Sequence, residues 1–461
     1  HQASLEILRR TGVRVHHGGA LDLLSAAGCT INDGNLVKFP AAVVEEALKT
    51  APSKIVLYGR DGGPRVHLEG RRTFFGTGSD LPNILDLETG ERRLSLLSDV
   101  ADTARLADSL PNLDFVMSMA LPSDVPSATS DRRSFLAMIE NTAKPVVFTA
   151  WDETGLADII AMAEVVAGGA EQLDQEPFLL AYLEPTSPLQ HSETVLNKLM
   201  MMADRRLPFV YAPGPVEGAS APVTSAGSLV MANAEILSGI TIAQLRRPGA
   251  PIVYGSGSGP LDMRTTVATY SSPEFMLHCR AIAELGQRRY HLPTWGFSGC
   301  TDSKVPDIQA GADIGLWTLW TALIGANLVH DVGYVESGMT CSYEMIVLCD
   351  EVIGFVRRLM GGIEVGPENL ALDTIDEVGP GGDFLAADHT LRHYKDCWYP
   401  KLFDRFSNQS WVEAGSPSIV DTARAAAREA IANHCPEPLP ETTRETLHRL
   451  VAEAVGRAGT G

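Results

Sequence analysis

Between residues 73 and 330 the apolar positions gather into eight short runs, each about one strand long. They are Thr73 to Thr77, Leu113 to Met119, Pro145 to Ala150, Pro177 to Leu183, Pro208 to Ala212, Pro251 to Gly255, Pro293 to Phe297 and Asn327 to His330. Longer segments with helical spacing separate and follow them, over 97–110, 127–142, 154–168, 191–204, 224–246, 273–288, 307–325 and 341–360. Five of the runs open with proline. A strand tolerates proline at its first residue, because the missing donor lies outside the ladder. Eight strands alternating with eight helices is the count of a closed parallel barrel. The rival is an open doubly wound sheet, which has fewer strands and a glycine-rich turn after the first. The expected fold class is therefore α/β, a (β/α)8 TIM barrel.

The flanks break this rhythm. Residues 1–70 read as an N-terminal helical extension, with helical spacing from Leu5, from Leu21 to Ala27 and from Ala41 to Lys49. A hairpin is expected over Leu81 to Leu94, around the Asp-Leu-Glu-Thr-Gly-Glu turn. The barrel is assigned to 71–360. Residues 361–461 form a C-terminal helical appendage, with an aromatic stretch from Tyr394 to Trp411 and amphipathic helices at 418–434 and 440–457. Packing or oligomerisation is the simplest use for it, and a homo-oligomer is expected.

Composition narrows the partners. The 461 residues carry a net charge of −20. Nucleic acid and anionic membrane surfaces are thereby disfavoured. No run approaches the roughly 18 apolar residues of a membrane span. The seven cysteines are odd in number, irregularly spaced and without a CxxC pair. A reduced, cytoplasmic setting is expected, and no metal centre, since no Cys/His cluster has ligand spacing. The chain begins at His1 without Met, which points to a longer natural N-terminus.

The chemistry concentrates at the carboxyl ends of the expected strands. After the run ending at Phe297 come Cys300, Thr301, Asp302, Ser303 and Lys304, and Asp307 then opens a helix. Other strand ends supply Tyr182, Glu184, Tyr254, His330 and Asp331. Aromatic rings with isolated carboxylates at one rim suit a methylated ammonium group, which is drawn to ring faces and donates no hydrogen bonds when quaternary. Each ring taken alone fits barrel packing equally well. Cys300 is a candidate nucleophile, and His330 a candidate base or a satisfied structural residue. The Gly255-Ser-Gly-Ser-Gly-Pro loop has no following Lys-Ser or Lys-Thr and is a weak phosphate signal.

Several segments resemble the trimethylamine:corrinoid methyltransferase family. They are ILRRTGVRVHH, YLEPTSPLQHSETVLNKLM, VYGSGSGPLDMRTT, GFSGCTDSKVPDIQAGAD and NLVHDVGYVESGMTCSYEMIVLCDE. The resemblance spans nearly the whole chain. It implies a (β/α)8 barrel that moves a methyl group from a methylated amine to the cobalt of a partner corrinoid protein. It also implies no permanently bound cofactor, because the corrinoid comes with the partner. Archaeal members carry pyrrolysine at a position that falls near Cys300 and Thr301, and no such residue stands in this chain. Members without it use quaternary amines such as glycine betaine. The expected substrate is therefore a betaine-like quaternary amine.

Strand-end position then distributes the roles. Asp302, His330 and Glu184 are the expected catalytic residues, with Glu184 and Asp302 balancing the cation's charge. Tyr182, Tyr254, Trp295 and Phe297 are expected to surround it. Lys304, Arg264 and the helix start at Asp307 are expected to hold a substrate carboxylate. Glu336 shapes the rim beside His330, and Cys300 lines the site. The alternatives are a barrel that binds a betaine without turning it over, and a thiol enzyme acting through Cys300.

Overall fold

The structure is a computed structural model that describes residues 1–458. The barrel strands are β1 (Phe74–Thr77), β2 (bridged residues 115–116), β3 (Val146–Phe148), β4 (Leu179–Leu183), β5 (Phe209–Tyr211), β6 (Ile252–Tyr254), β7 (Trp295–Phe297) and β8 (Leu328–Val332). Each sits inside one of the eight apolar runs or overlaps it. Every neighbouring pair is parallel, and β8 pairs with β1, so the sheet closes on itself. Closure leaves the barrel sheet without an edge. The proline carbonyls still serve the ladder: Val116 donates to Pro145, Ala181 to Pro208, Phe209 to Pro251 and Tyr254 to Pro293.

The outer layer consists of α1 (Leu97–Ser109), α2 (Ser130–Asn141), α3 (Glu153–Ala167), α4 (Glu193–Arg205), α5 (Ser225–Arg246), α6 (Pro273–Glu284), α7 (Ile308–Ile324) and α8 (Tyr343–Met360). These match the expected helical segments to within a few residues, and α6 runs on as a π-helical turn to Tyr290. The expected hairpin is present, with Asn83–Leu85 antiparallel to Arg92–Leu94.

The N-terminal region differs from the helical reading. Helices Gln2–Arg10, Gly18–Ala26 and Ala41–Thr50 alternate with the strands Val13–Val15, Thr30–Asn32 and Leu36–Lys38, and Ile55–Tyr58 pairs with Pro64–Leu68. Three-residue strands are too short to show a period of two, so the pattern missed them. This region covers α5. Ser4 donates to the Val230 carbonyl and accepts from Asn233, and Thr50 donates to Gln244. Helix α5 thus lies between barrel and extension and is buried on every side from Met231 to Gln244. Its length and composition alone would let it cross a membrane, but 78% of its most apolar window is inside the protein. The C-terminal helices Ile419–Asn433 and Glu441–Ala458 pack outside the barrel helices, through Arg424 on Glu344 and His448 on Glu140.

Glu235 on α5 is fully buried with no cation beside it, and accepts from Leu189 N (2.6 Å) and Ser187 Oγ (2.8 Å). Burial lifts its pKa from 4.5 to about 7. The folded chain therefore holds a proton that the unfolded chain releases, and stability falls as pH rises from about 4.5 to about 7. The full effect is roughly 3 kcal/mol. Glu235→Gln keeps the acceptor oxygen and removes the charge. Urea unfolding at pH 5 and pH 7.5 should show the variant gaining stability over the wild type only at the higher pH; a constant difference would contradict the assignment.

Candidate functional site

The mouth of the barrel is built around an irregularity in β8. Leu328 and Val329 pair with Phe74 and Phe75, the register then skips, and Val332 pairs with Thr77. His330 and Asp331 occupy the skip, and Asp331 takes a positive φ of 75°. Bulges at barrel rims re-aim side chains in this way. The His330 ring stacks on Trp295 with centroids 4.2 Å apart, and lies 4.5 Å from Phe297 and 6.4 Å from Tyr182. Tyr182 in turn lies 5.7 Å from Trp295. Four of the expected site residues therefore form one aromatic cluster.

Asp331 is 1% exposed, and neither carboxylate oxygen has a hydrogen-bond partner. Its Oδ1 lies 2.5 Å from His330 Nδ1, but not in hydrogen-bond alignment. Eight buried side-chain polar atoms among the described residues lack a partner, and five belong to Trp295, His330 and Asp331. Buried polar atoms are almost always paired. Their concentration at one point makes the base of the mouth a candidate ligand site. Burial above all, and then nearby charge including that of Asp331, pushes the Tyr182, Tyr270 and Tyr334 hydroxyls well above their usual range. The phenols around Asp331 thus remain neutral.

Glu184 is open to solvent, yet it lies deep among the mouth loops. Its Oε2 accepts from Tyr182 Oη at 3.2 Å. Burial raises its pKa, against the lowering effect of the Tyr182 and Gly214 hydrogen bonds. Tyr182 and Glu184 border a recess of about 330 Å³ shared with Asp80, Thr149, Trp151 and Lys198. Asp80 is held there by Ser118 and Thr149 hydroxyls, each at 2.6 Å, and burial raises its pKa too. Lys198 Nζ donates to the Ala150 carbonyl at 2.5 Å.

The remaining expected residues stand elsewhere. Tyr254 points outward: its hydroxyl donates to Asn233 on α5 at 2.7 Å, and its ring lies 5.3 Å from Tyr290. Strand alternation sends it to the helical layer. Asp302 is a fastener, accepting from Tyr270 N (2.8 Å), Ser271 N (3.2 Å) and Ser337 Oγ (2.8 Å). Lys304 is exposed and donates to the Asp302 carbonyl. The Arg264 side chain is 88% exposed and forks onto Asp262. Asp307 is exposed and caps α7 by accepting from Ala310 N. Glu336 accepts from Arg92. The expected carboxylate clamp is therefore not assembled at the mouth. Cys300 is fully buried, and burial raises its thiol pKa far above the ordinary value, so no thiolate is presented.

Tyr270 and Tyr334 were not among the expected site residues. Their rings lie 6.4 Å apart, and the Tyr334 hydroxyl accepts from Ser79 N and donates to Ser79 O. A side chain at Gly78 would collide with that hydroxyl. A cavity of about 880 Å³ lies at the other end, lined by Arg71, Arg280, His291 and Trp320 near the strand starts. In parallel barrels that face carries stability rather than chemistry.

Fold and mouth together define a TIM-barrel protein whose aromatic and carboxylate-lined recess lies where barrel enzymes carry their active sites. The chain belongs to the trimethylamine methyltransferase (MTTB) family, which it matches over residues 1–456. The trimethylamine methyltransferase MttB of Desulfitobacterium hafniense is 33% identical over 460 residues, covering 100% of this chain and 92% of the relative. The glycine betaine methyltransferase of Desulfitobacterium hafniense is 31% identical, covering 98% and 94%. Among solved structures, the monomethylamine methyltransferase of Methanosarcina barkeri superposes with a TM-score of 0.50 at 12% identity, covering 91% and 87%. That likeness is one of fold.

The burial pattern sets a test for the cysteines. Iodoacetamide on the native protein, followed by peptide mapping, should label the exposed Cys397 and Cys435 and leave Cys300 unmodified. Rapid labelling of Cys300 would restore it as a candidate nucleophile.

Proposed function

We propose that this chain transfers a methyl group from a betaine-like quaternary amine to the Co(I) of a separate corrinoid protein. The observation that carries the reading is the cluster of Tyr182, Trp295, Phe297 and His330 rings, with the buried Asp331 carboxylate against His330 and no Arg or Lys on it. A methylated ammonium offers charge without donors, which suits a carboxylate whose surroundings are rings. The reduced cobalt supplies the electron pair that accepts the methyl group, and the C–N pair stays with nitrogen. A quaternary ammonium leaves as a neutral tertiary amine, so no further activation is needed. That agrees with the absence of pyrrolysine from the sequence.

The chain's own part is position and field. Tyr182, Trp295, Phe297 and His330 would fix the methylated nitrogen, with Asp331 and Glu184 as its counter-charges. Lys198, on the recess beside Glu184, takes over the carboxylate role from Arg264 and Lys304.

Calorimetry with two ligands separates these assignments. Asp331→Asn should weaken tetramethylammonium binding by about 10- to 100-fold, the range of a lost charge contact. Lys198→Met should leave tetramethylammonium unchanged and weaken glycine betaine alone. Affinity for both should rise as pH climbs through the elevated Glu184 pKa, and Glu184→Gln should flatten that dependence. Asp331→Asn binding at full affinity would refute the cation site. The reaction itself is tested with the partner corrinoid protein, a cobalt reductant and a betaine panel; no methylation of the corrinoid by any quaternary amine would eliminate this substrate class.

A further inference from the structure

Residues 361–417 run outside the barrel with no buried side chain among them. Ile363 and Leu385 are 90% and 86% exposed. The segment is fastened to α8 at 398–403, where Glu351 accepts from the Lys401, Leu402 and Phe403 N–H groups, and the part before that needs another constraint to fix its conformation. Near its centre, helix Asp388–His393 places His389 and His393 one turn apart, with ring centroids 4.4 Å from each other. Helix Pro367–Leu370 brings Glu368 to them from 21 residues before His389. One ligand atom from each of the three residues lies within 4.8 Å of the others, and no other such group of His, Cys and carboxylate occurs among the described residues.

The surroundings are those of a ligand set. His393 Nδ1 lies 2.7 Å from Asp396 Oδ2. A carboxylate there holds a ring proton on Nδ1, as second-layer carboxylates do for metal-bound histidines, and Nε2 faces Glu368, whose place beside it a metal would take. The contacts from Arg392 (2.9 Å) and His393 (3.0 Å) both fall on Glu368 Oε1, which leaves Oε2 as a donor. His389 Nε2 lies 3.1 Å from the Glu368 backbone carbonyl, which holds the ring beside that residue.

We infer that Glu368, His389 and His393 bind a divalent metal of the Zn²⁺ class, and that the metal staples the 361–417 segment. Two imidazoles and one carboxylate suit Zn²⁺ and leave its fourth position to water. Binding needs both Nε2 atoms free of protons: the proton between His393 Nε2 and Glu368 Oε1 goes to solvent, and that on His389 Nε2 goes to Nδ1 or to solvent. The two histidines stand at i and i+4, a spacing the sequence reading passed over, and the carboxylate comes from a separate helix.

The test uses the full chain with Zn²⁺ alone, measured by calorimetry, and limited proteolysis with and without the metal. The wild type should bind one Zn²⁺ per chain. The double variant His389→Ala, His393→Ala should lose at least 100-fold in affinity, and Asp396→Asn about 10- to 100-fold. Zn²⁺ should slow cleavage within 361–417 in the wild type and not in the double variant. Thermal unfolding confirms that these exposed changes leave the barrel folded. Equal Zn²⁺ affinity in wild type and double variant, or no binding by the wild type, would overturn the site. Binding without protection would overturn the staple.

Discussion

The ladder between β8 and β1 carries the rest of the structure. It turns eight parallel strands into a ring and joins residue 328 to residue 74. Among the described barrel pairs it also holds the register shift, at His330 and Asp331. Regular alternation would send one of two consecutive side chains to the helical layer. The skip lets both serve the mouth. It has a cost: a positive φ outside glycine is worth roughly 1–3 kcal/mol, and an unpaired buried carboxylate costs several more.

A second set of contacts fixes the loops above this base. The Tyr334 hydroxyl bridges the backbone of Ser79 after β1, and Asp302 after β7 ties down Tyr270, Ser271 and Ser337. Arg92 and Glu336 join the hairpin to the loop after β8. The loops after the neighbouring strands β6, β7, β8 and β1 are thereby fastened to each other. Polar residues that look like ligand groups in the sequence are here the fasteners. A carboxylate in a loop finds backbone N–H groups nearer than any substrate, and it accepts from them.

The barrel was legible because each strand is a short apolar run closed off by turn residues, and five of the runs start at proline. The end of the molecule that bears the site followed from strand direction alone. Tyr182, Glu184, Trp295, Phe297 and His330 could be placed there for that reason. Tyr254 was placed with them and points outward instead, because strand direction gives the end of the barrel but not which side chains of a three-residue strand face inward. Asp331 was visible beside His330, but its bulge depends on pairing with β1, more than 250 residues away. Tyr270 lies in a loop with no period to read. The N-terminal strands and the Glu368 contact with His389 and His393 are likewise products of tertiary approach.

On the proposed function, the base of the mouth discriminates by hydration as much as by charge. A protonated amine brings N–H donors that water solvates strongly, and it loses that solvation among Trp295, Phe297 and His330. A quaternary ammonium is weakly hydrated and presents only methyl faces, which rings hold well. Asp331 would then act through its field across the ring cluster rather than through a hydrogen bond. The lack of an Arg or Lys beside it is the condition for this: a carboxylate already paired to such a cation would have its field cancelled before the substrate arrived. The strain at Asp331 is thus held in the protein beforehand, and the incoming cation meets a charge that needs no rearrangement to receive it.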